Sequence, residues 1–165
     1  MTEKLSMGPL RVTRRIGLAA AGAAAALAAL VPISASGAAE KRLYIGMNLH
    51  FTGPTTTAGV FVASGAVAAS GAATVDHLAL VPIGNSDSAA LSGNETFSSK
   101  NGTIVTHFDG IAFPLSSPQQ VGKGRFLIVS GTGAYAGITG QGTFLIVVDP
   151  ISNEAVGTEE GSIDQ

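Results

Sequence analysis

The chain has 165 residues, 9 Lys/Arg against 11 Asp/Glu, a formal net charge of −2 at pH 7, and no cysteine. That length allows one small domain beside a targeting segment. The absence of cysteine excludes disulfides and thiolate zinc sites, so stability must come from a core or from oligomerisation.

The first forty residues have the order of an export signal. Arg11, Arg14 and Arg15 precede an uncharged apolar run, IGLAAAGAAAALAALV, and then the small-residue stretch PISASGAAE. A basic region, an apolar region and small residues in that order form a secretory signal peptide. Thr13-Arg14-Arg15-Ile16-Gly17-Leu18 also fits the twin-arginine pattern of bacterial export. An uncleaved anchor needs roughly 20 predominantly apolar residues, and this run is shorter and mostly Ala. The expectation is a signal peptide over 1–39, cut between Ala35 and Glu40, and a secreted domain over 40–165. Ser34/Ser36 and Gly37/Ala39 both fit a small-x-small cleavage site. The domain keeps five basic and ten acidic residues, a net of −5. Nucleic acid and anionic membrane surfaces are recognised by clustered Lys/Arg, so neither is expected as a partner.

From residue 42 onward the sequence predicts strands. The candidates are 42–51, 55–70 (broken by Gly65), 75–83, 91–99, 102–114, 122–131, 139–150 and 154–163. Each is bounded by Gly, Pro, Asn, Asp or Ser. The segment 71–74, GAAT, reads as the turn before the third strand, and 91–99 as a short polar strand or edge. No segment of the domain carries a 3.6-residue apolar period. DPISNE, 149–154, is a hairpin turn, with Pro150 fixing φ and Asn153 tolerating the left-handed region. Eight strands, short links and no helix leave a sandwich or a closed barrel. Sequential hairpins favour an up-and-down antiparallel barrel, whose interior holds side chains or one small ligand.

The stretch GRFLIVSGTGAYAGITGQGTFLIVVDP, 124–150, holds six glycines. A phosphate loop would pass from glycines into a helix; here they pass into another strand. The expectation is a link between strands six and seven, with Gly131 and Gly133 supplying permissive φ and Tyr135 and Ile138 tucked in as a plug. GKGRFLIVSGTGAYAGITGQGTF resembles the signature of the allene oxide cyclase and dirigent families. LYIGMNLHFTGPTTT and VVDPISNEAV are similar to the first strand and last hairpin of dirigent proteins. The resemblance covers most of 42–163 and is closest over 121–150. It implies a calycin-like eight-stranded antiparallel barrel with an apolar cavity, usually a homotrimer. It also implies a small hydrophobic substrate, cyclised, isomerised or guided in coupling. The acidic residue of the dirigent first strand has no counterpart in Met47-Asn48-Leu49-His50.

His107 and Asp109 stand at i and i+2, so they share one strand face and are candidates for an acid–base pair if that face lines the cavity. On a solvent face they would be ordinary. The resemblance to the plant cyclases also implies a buried carboxylate deep in the cavity, for which Glu95 or Asp109 is the candidate. Tyr44, Asn48 and His50 share a face of the first strand opposite Leu43, Ile45, Met47, Leu49 and Phe51. Periodicity leaves open which face is inside. His77 reads as structural or exposed. Three histidines without H-x-H or H-E-x-x-H spacing predict no metal site, and no cofactor is expected. Two readings remain: a cofactor-free isomerase or cyclase, and a non-catalytic barrel holding a lipid or aromatic metabolite. Polar groups at the cavity floor favour the first; a wholly apolar cavity favours the second.

Overall fold

The computed structural model describes residues 41–116 and 118–164; the expected signal peptide lies outside the described residues. Eight strands follow one another: β1 Arg42–Gly53, β2 Thr56–Gly65, β3 Ala69–Pro82, β4 Ala89–Ser99, β5 Gly102–Ser116, β6 Gln119–Gly131, β7 Thr139–Asp149 and β8 Glu154–Asp164. Every neighbour is antiparallel, and β8 pairs back with β1 to close a barrel in sequence order. The fold class read from the sequence is therefore the observed one.

Two boundaries differ from the sequence reading. The run 55–70 spans two strands, because the chain turns at Gly65, whose φ of +90° places it in the left-handed region. Ala66 N–H then donates to the Arg42 carbonyl at 2.7 Å. GAAT lies within β3, where Gly71 pairs with both Phe61 and Ser99. The polar segment around residues 91–99 is no edge: β4 is paired along both sides. Closure leaves no edge to assign.

Register fixes the barrel's shape. The row Ala89, Ala112, Gly122, Ile146, Gly157, Met47, Phe61, Gly71 returns to β4 at Ser99, ten residues from its start. Such a shear tilts the strands and sets the bore. Tight coiling at these strands is made possible by glycine. The Phe108 ring lies over its cross-strand partner Gly93, and Phe126 over Gly142; an added Cβ would meet either ring at 2.6 Å. Aromatic cover of a bare strand position restores packing that glycine alone loses.

The alternation has one consistent sense. Leu43, Ile45, Met47 and Leu49 are buried inside, while Asn48 and His50 are exposed and Tyr44 is half-buried on the outer wall. At one end Val67, Tyr135 and Ile138 are buried, and the Tyr135 hydroxyl stands 3.3 Å from Ser99 Oγ. The expected plug is thus present, carried on a turn of 3-10 helix, Gly133–Tyr135. Burial of two such side chains contributes roughly 3–6 kcal/mol.

The plug loop gives a direct test. Gly133 has φ +61°, and an added Cβ would lie 2.3 Å from the Asn101 carbonyl oxygen; Gly137 has φ +79° with nothing within 4 Å. Gly137→Ala should cost about 1–2 kcal/mol for the left-handed backbone alone, and Gly133→Ala at least ~1 kcal/mol more for the collision. Urea denaturation of both variants measures the difference; equal costs would contradict the close packing of this end.

Candidate functional site: a carboxyl pair on the floor of an apolar cavity

The other half of the barrel is hollow. A cavity of about 100 Å³ runs from Met47, Leu91, Phe108 and Phe144 in the interior to half-buried Phe51 and Leu78 and exposed Leu80 at the rim. That volume is on the scale that accepts a benzene-sized molecule. The rim is shaped by a one-residue bulge in β3 between Asp76 and Ala79. There His77 takes φ +57°, and Leu78 N–H donates to the Thr55 carbonyl at 2.9 Å. The bulge offsets β3 so that both Leu78 and Leu80 face the cavity. Bulges of this kind re-aim side chains at barrel rims.

Two carboxyl groups meet this apolar lining. Glu95 on β4 is 3% exposed and Glu159 on β8 is 1% exposed. Strands four apart in an eight-stranded barrel face each other, so the two side chains approach from opposite walls. Glu95 pairs across the ladder with Val75 and Thr106, Glu159 with Ile45 and Phe144. Glu95 Oε1, Glu159 Oε2 and the hydroxyls of Thr106 and Thr57 have no hydrogen-bond partner in the protein. Among the described residues no lysine or arginine is buried beside them.

Electrostatics follow from that setting. Burial raises the Glu95 pKa well above its ordinary value, and the nearby Glu159 charge raises it further. Burial likewise raises Glu159 to about 8. Thr106 faces Glu159 and opposes the rise, although its hydroxyl completes no hydrogen bond of full geometry. Desolvation disfavours the charged form, and a second carboxylate disfavours it again. Near pH 7 the pair is therefore held largely as neutral acids. A neutral carboxylic acid donates a hydrogen bond or a proton, which a carboxylate cannot do.

The sequence candidates divide. Glu95 lies in the cavity. His107 and Asp109 share a face, as their spacing requires, but it is the outer one, and both are exposed. His107 Nδ1 stands 2.9 Å from Asn94 Oδ1 on the same outer surface, and Asp109 pairs across the ladder with Arg125. Tyr44, Asn48 and His50 also face outward, because the apolar face of β1 fills the bore; the expectation that they line the cavity is corrected accordingly. Glu159 was not singled out from the sequence. Its signal was the phase of β8: Ala155, Gly157, Gly161 and Ile163 share its face, which is the small and apolar one. Among the described residues no group of His, Asp or Glu is arranged to hold a metal ion. Comparison with protein families, curated proteins and solved structures finds no match to this chain.

Because Glu159 has a folded pKa of about 8 against an ordinary 4.5, the folded state holds an extra proton between those values. Stability is then highest below that window and falls as pH rises through it, by on the order of 5 kcal/mol for Glu159. Thermal unfolding should give a lower Tm at pH 8.5 than at pH 5. Glu159→Gln should reduce the slope, and the double variant with Glu95→Gln should abolish most of it. A Tm that rises with pH across this range would contradict the assignment.

Proposed function

We propose that the barrel admits a small hydrophobic molecule bearing a polar atom and acts on it by proton transfer, isomerising or cyclising it without a cofactor. The observation that carries this reading is the buried carboxyl pair on the floor of an otherwise apolar cavity. An isomerisation moves a proton from one position to another and needs one group that gives and one that takes. With one proton between them, the form that becomes populated as pH rises toward 8, the two coupled carboxyls supply both, with no net gain or loss of protons. Apolar walls exclude water, which strengthens the acid's hydrogen bond to a developing oxyanion. The glycine-rich resemblance over 121–150 to allene oxide cyclase and dirigent barrels supports the same reading. Radical coupling of the dirigent kind would need an external oxidant, so cyclisation or isomerisation fits the pair better.

A non-catalytic binding barrel is the second reading, favoured by the small volume and the apolar lining. In either case we infer an extracytoplasmic protein, from the segment before residue 40. A homotrimer is the expected assembly, supported by Val60 and Val62, each 58% exposed on the outer wall of β2. Sedimentation showing a monomer at micromolar concentration would count against the trimer.

The functional test separates binding from turnover. Glu159→Gln and Glu95→Gln keep the shape of each side chain and remove its acid. Turnover of a panel of small apolar epoxides and unsaturated ketones should fall by about 10²–10⁴-fold in either variant. Affinity for an unreactive apolar analogue should change by less than about threefold. His107→Ala, on the outer wall, should leave both unchanged. Binding without turnover in the parent protein would leave the binding barrel as the function.

A further inference from the structure

The turns at the two ends of the barrel treat their apolar residues in opposite ways. At the plugged end Val67, Tyr135 and Ile138 are buried. At the cavity end the apolar residues of the strand tips and turns point to solvent. Leu80 is 51% exposed, Val81 61%, Ile83 42%, Leu115 56% and Ile151 80%. They come from three separate hairpins, β3–β4, β5–β6 and β7–β8, and so surround the opening rather than forming one stripe.

These tips are held in place by polar groups that make no use of the apolar side chains. In the last turn Asp149 Oδ1 accepts from the Ile151 N–H at 2.9 Å. Asn153 Nδ2 donates to the Phe51 carbonyl at 2.8 Å, and Phe51 N–H to the Asn153 carbonyl at 3.1 Å. In the β3–β4 turn Ser86 Oγ donates to the Ile83 carbonyl at 2.7 Å, and Ile83 N–H to the Ser88 carbonyl at 3.0 Å. A serine or asparagine would serve at 83 and 151 as far as these turns are concerned. The exposed isoleucines are therefore explained by something outside the barrel.

Charge selects the partner. The charged residues of the cavity-end turns and the strand ends beside them are Asp87, Asp149 and Glu154. Lys41, Arg42 and Lys100 stand at the plugged end, and Lys123 and Arg125 on the outer wall of β6, with Lys123 Nζ 5.3 Å from the Phe113 ring centroid. An anionic surface would be repelled from the crown, while an uncharged apolar boundary would bury it. The cavity behind the crown holds only about 100 Å³, so an extended lipophile would enter in part and keep its remainder at the mouth. We propose that the cavity end docks on a lipid surface with zwitterionic headgroups, placing the opening at the acyl boundary from which an apolar ligand is exchanged. The purpose rests on the apolar-ligand reading; the docking does not.

Flotation with phosphatidylcholine vesicles at pH 7.5 tests it without any ligand. The probe protein is residues 41–165, whose strands close entirely on one another, run in parallel with the full chain. The parent should float with the vesicles, and adding phosphatidylglycerol should not increase binding. The triple variant Ile83→Ser, Leu115→Ser, Ile151→Ser should lower the partition coefficient at least tenfold in both chains, with an unchanged β-type circular dichroism spectrum. Val129→Ser, exposed near the plugged end of β6, should leave it unchanged. The proposal is overturned if residues 41–165 do not float, if the triple variant floats equally well, or if anionic lipid strengthens binding. Loss of self-association in the triple variant, with no vesicle binding by the parent, would show that a second copy covers the crown. Floating of the parent together with unaltered turnover in Glu159→Gln would uphold docking while removing the catalytic reading.

Discussion

The pairing of β8 with β1 is the interaction on which the rest depends. Nine consecutive residue pairs, from Arg42 with Ser162 to His50 with Glu154, join the last strand to the first. Without that seam the sheet has two open edges and two equivalent faces. With it, every strand has an inside and an outside, and each side chain is committed by its parity. The same seam makes the position of Glu159 costly: it sits beside Ile45 in the ladder and points into the bore.

A closed barrel of ten-residue shear can be filled or left partly hollow, and this one is both. The Phe126 ring over Gly142 and the Tyr135 plug fill one part, while Leu91, Phe108 and Phe144 line the hollow. Each unpartnered buried polar atom costs about 1–3 kcal/mol. Glu95, Glu159, Thr57 and Thr106 all carry such an atom in one small region. A structure that served packing alone would place Val, Leu or Met there. Groups retained at such cost beside a cavity are the usual mark of a site whose pKa values are tuned for chemistry.

The fold was legible because strand boundaries are written in Gly, Pro and Asn, and because no segment has helical periodicity. The plug was legible for the same reason: AYAGI between glycines leaves Tyr135 and Ile138 nowhere else to go. What the residues left open was parity. Alternation in β1 separates Tyr44, Asn48 and His50 from Leu43 through Leu49, but nothing local says which set faces in. The pair His107 and Asp109 failed to reach the cavity for that reason. In β4 the number of polar residues in LSGNETFSS concealed that Leu91, Gly93, Glu95 and Phe97 share one buried face. The register that brings Glu159 opposite Glu95 is set by closure around all eight strands, which no local pattern contains.

Burial keeps two carboxyl groups inside this barrel protonated near neutral pH. Infrared spectroscopy of protein with ¹³C-carboxyl-labelled glutamate measures this directly, since the C=O stretch of a protonated acid is separate from the carboxylate bands. At pH 7 a protonated-acid band should be present that diminishes in Glu159→Gln, disappears in the double variant with Glu95→Gln, and loses its Glu159 component in the parent near pH 8. A spectrum at pH 7 showing only ionised glutamate would contradict it.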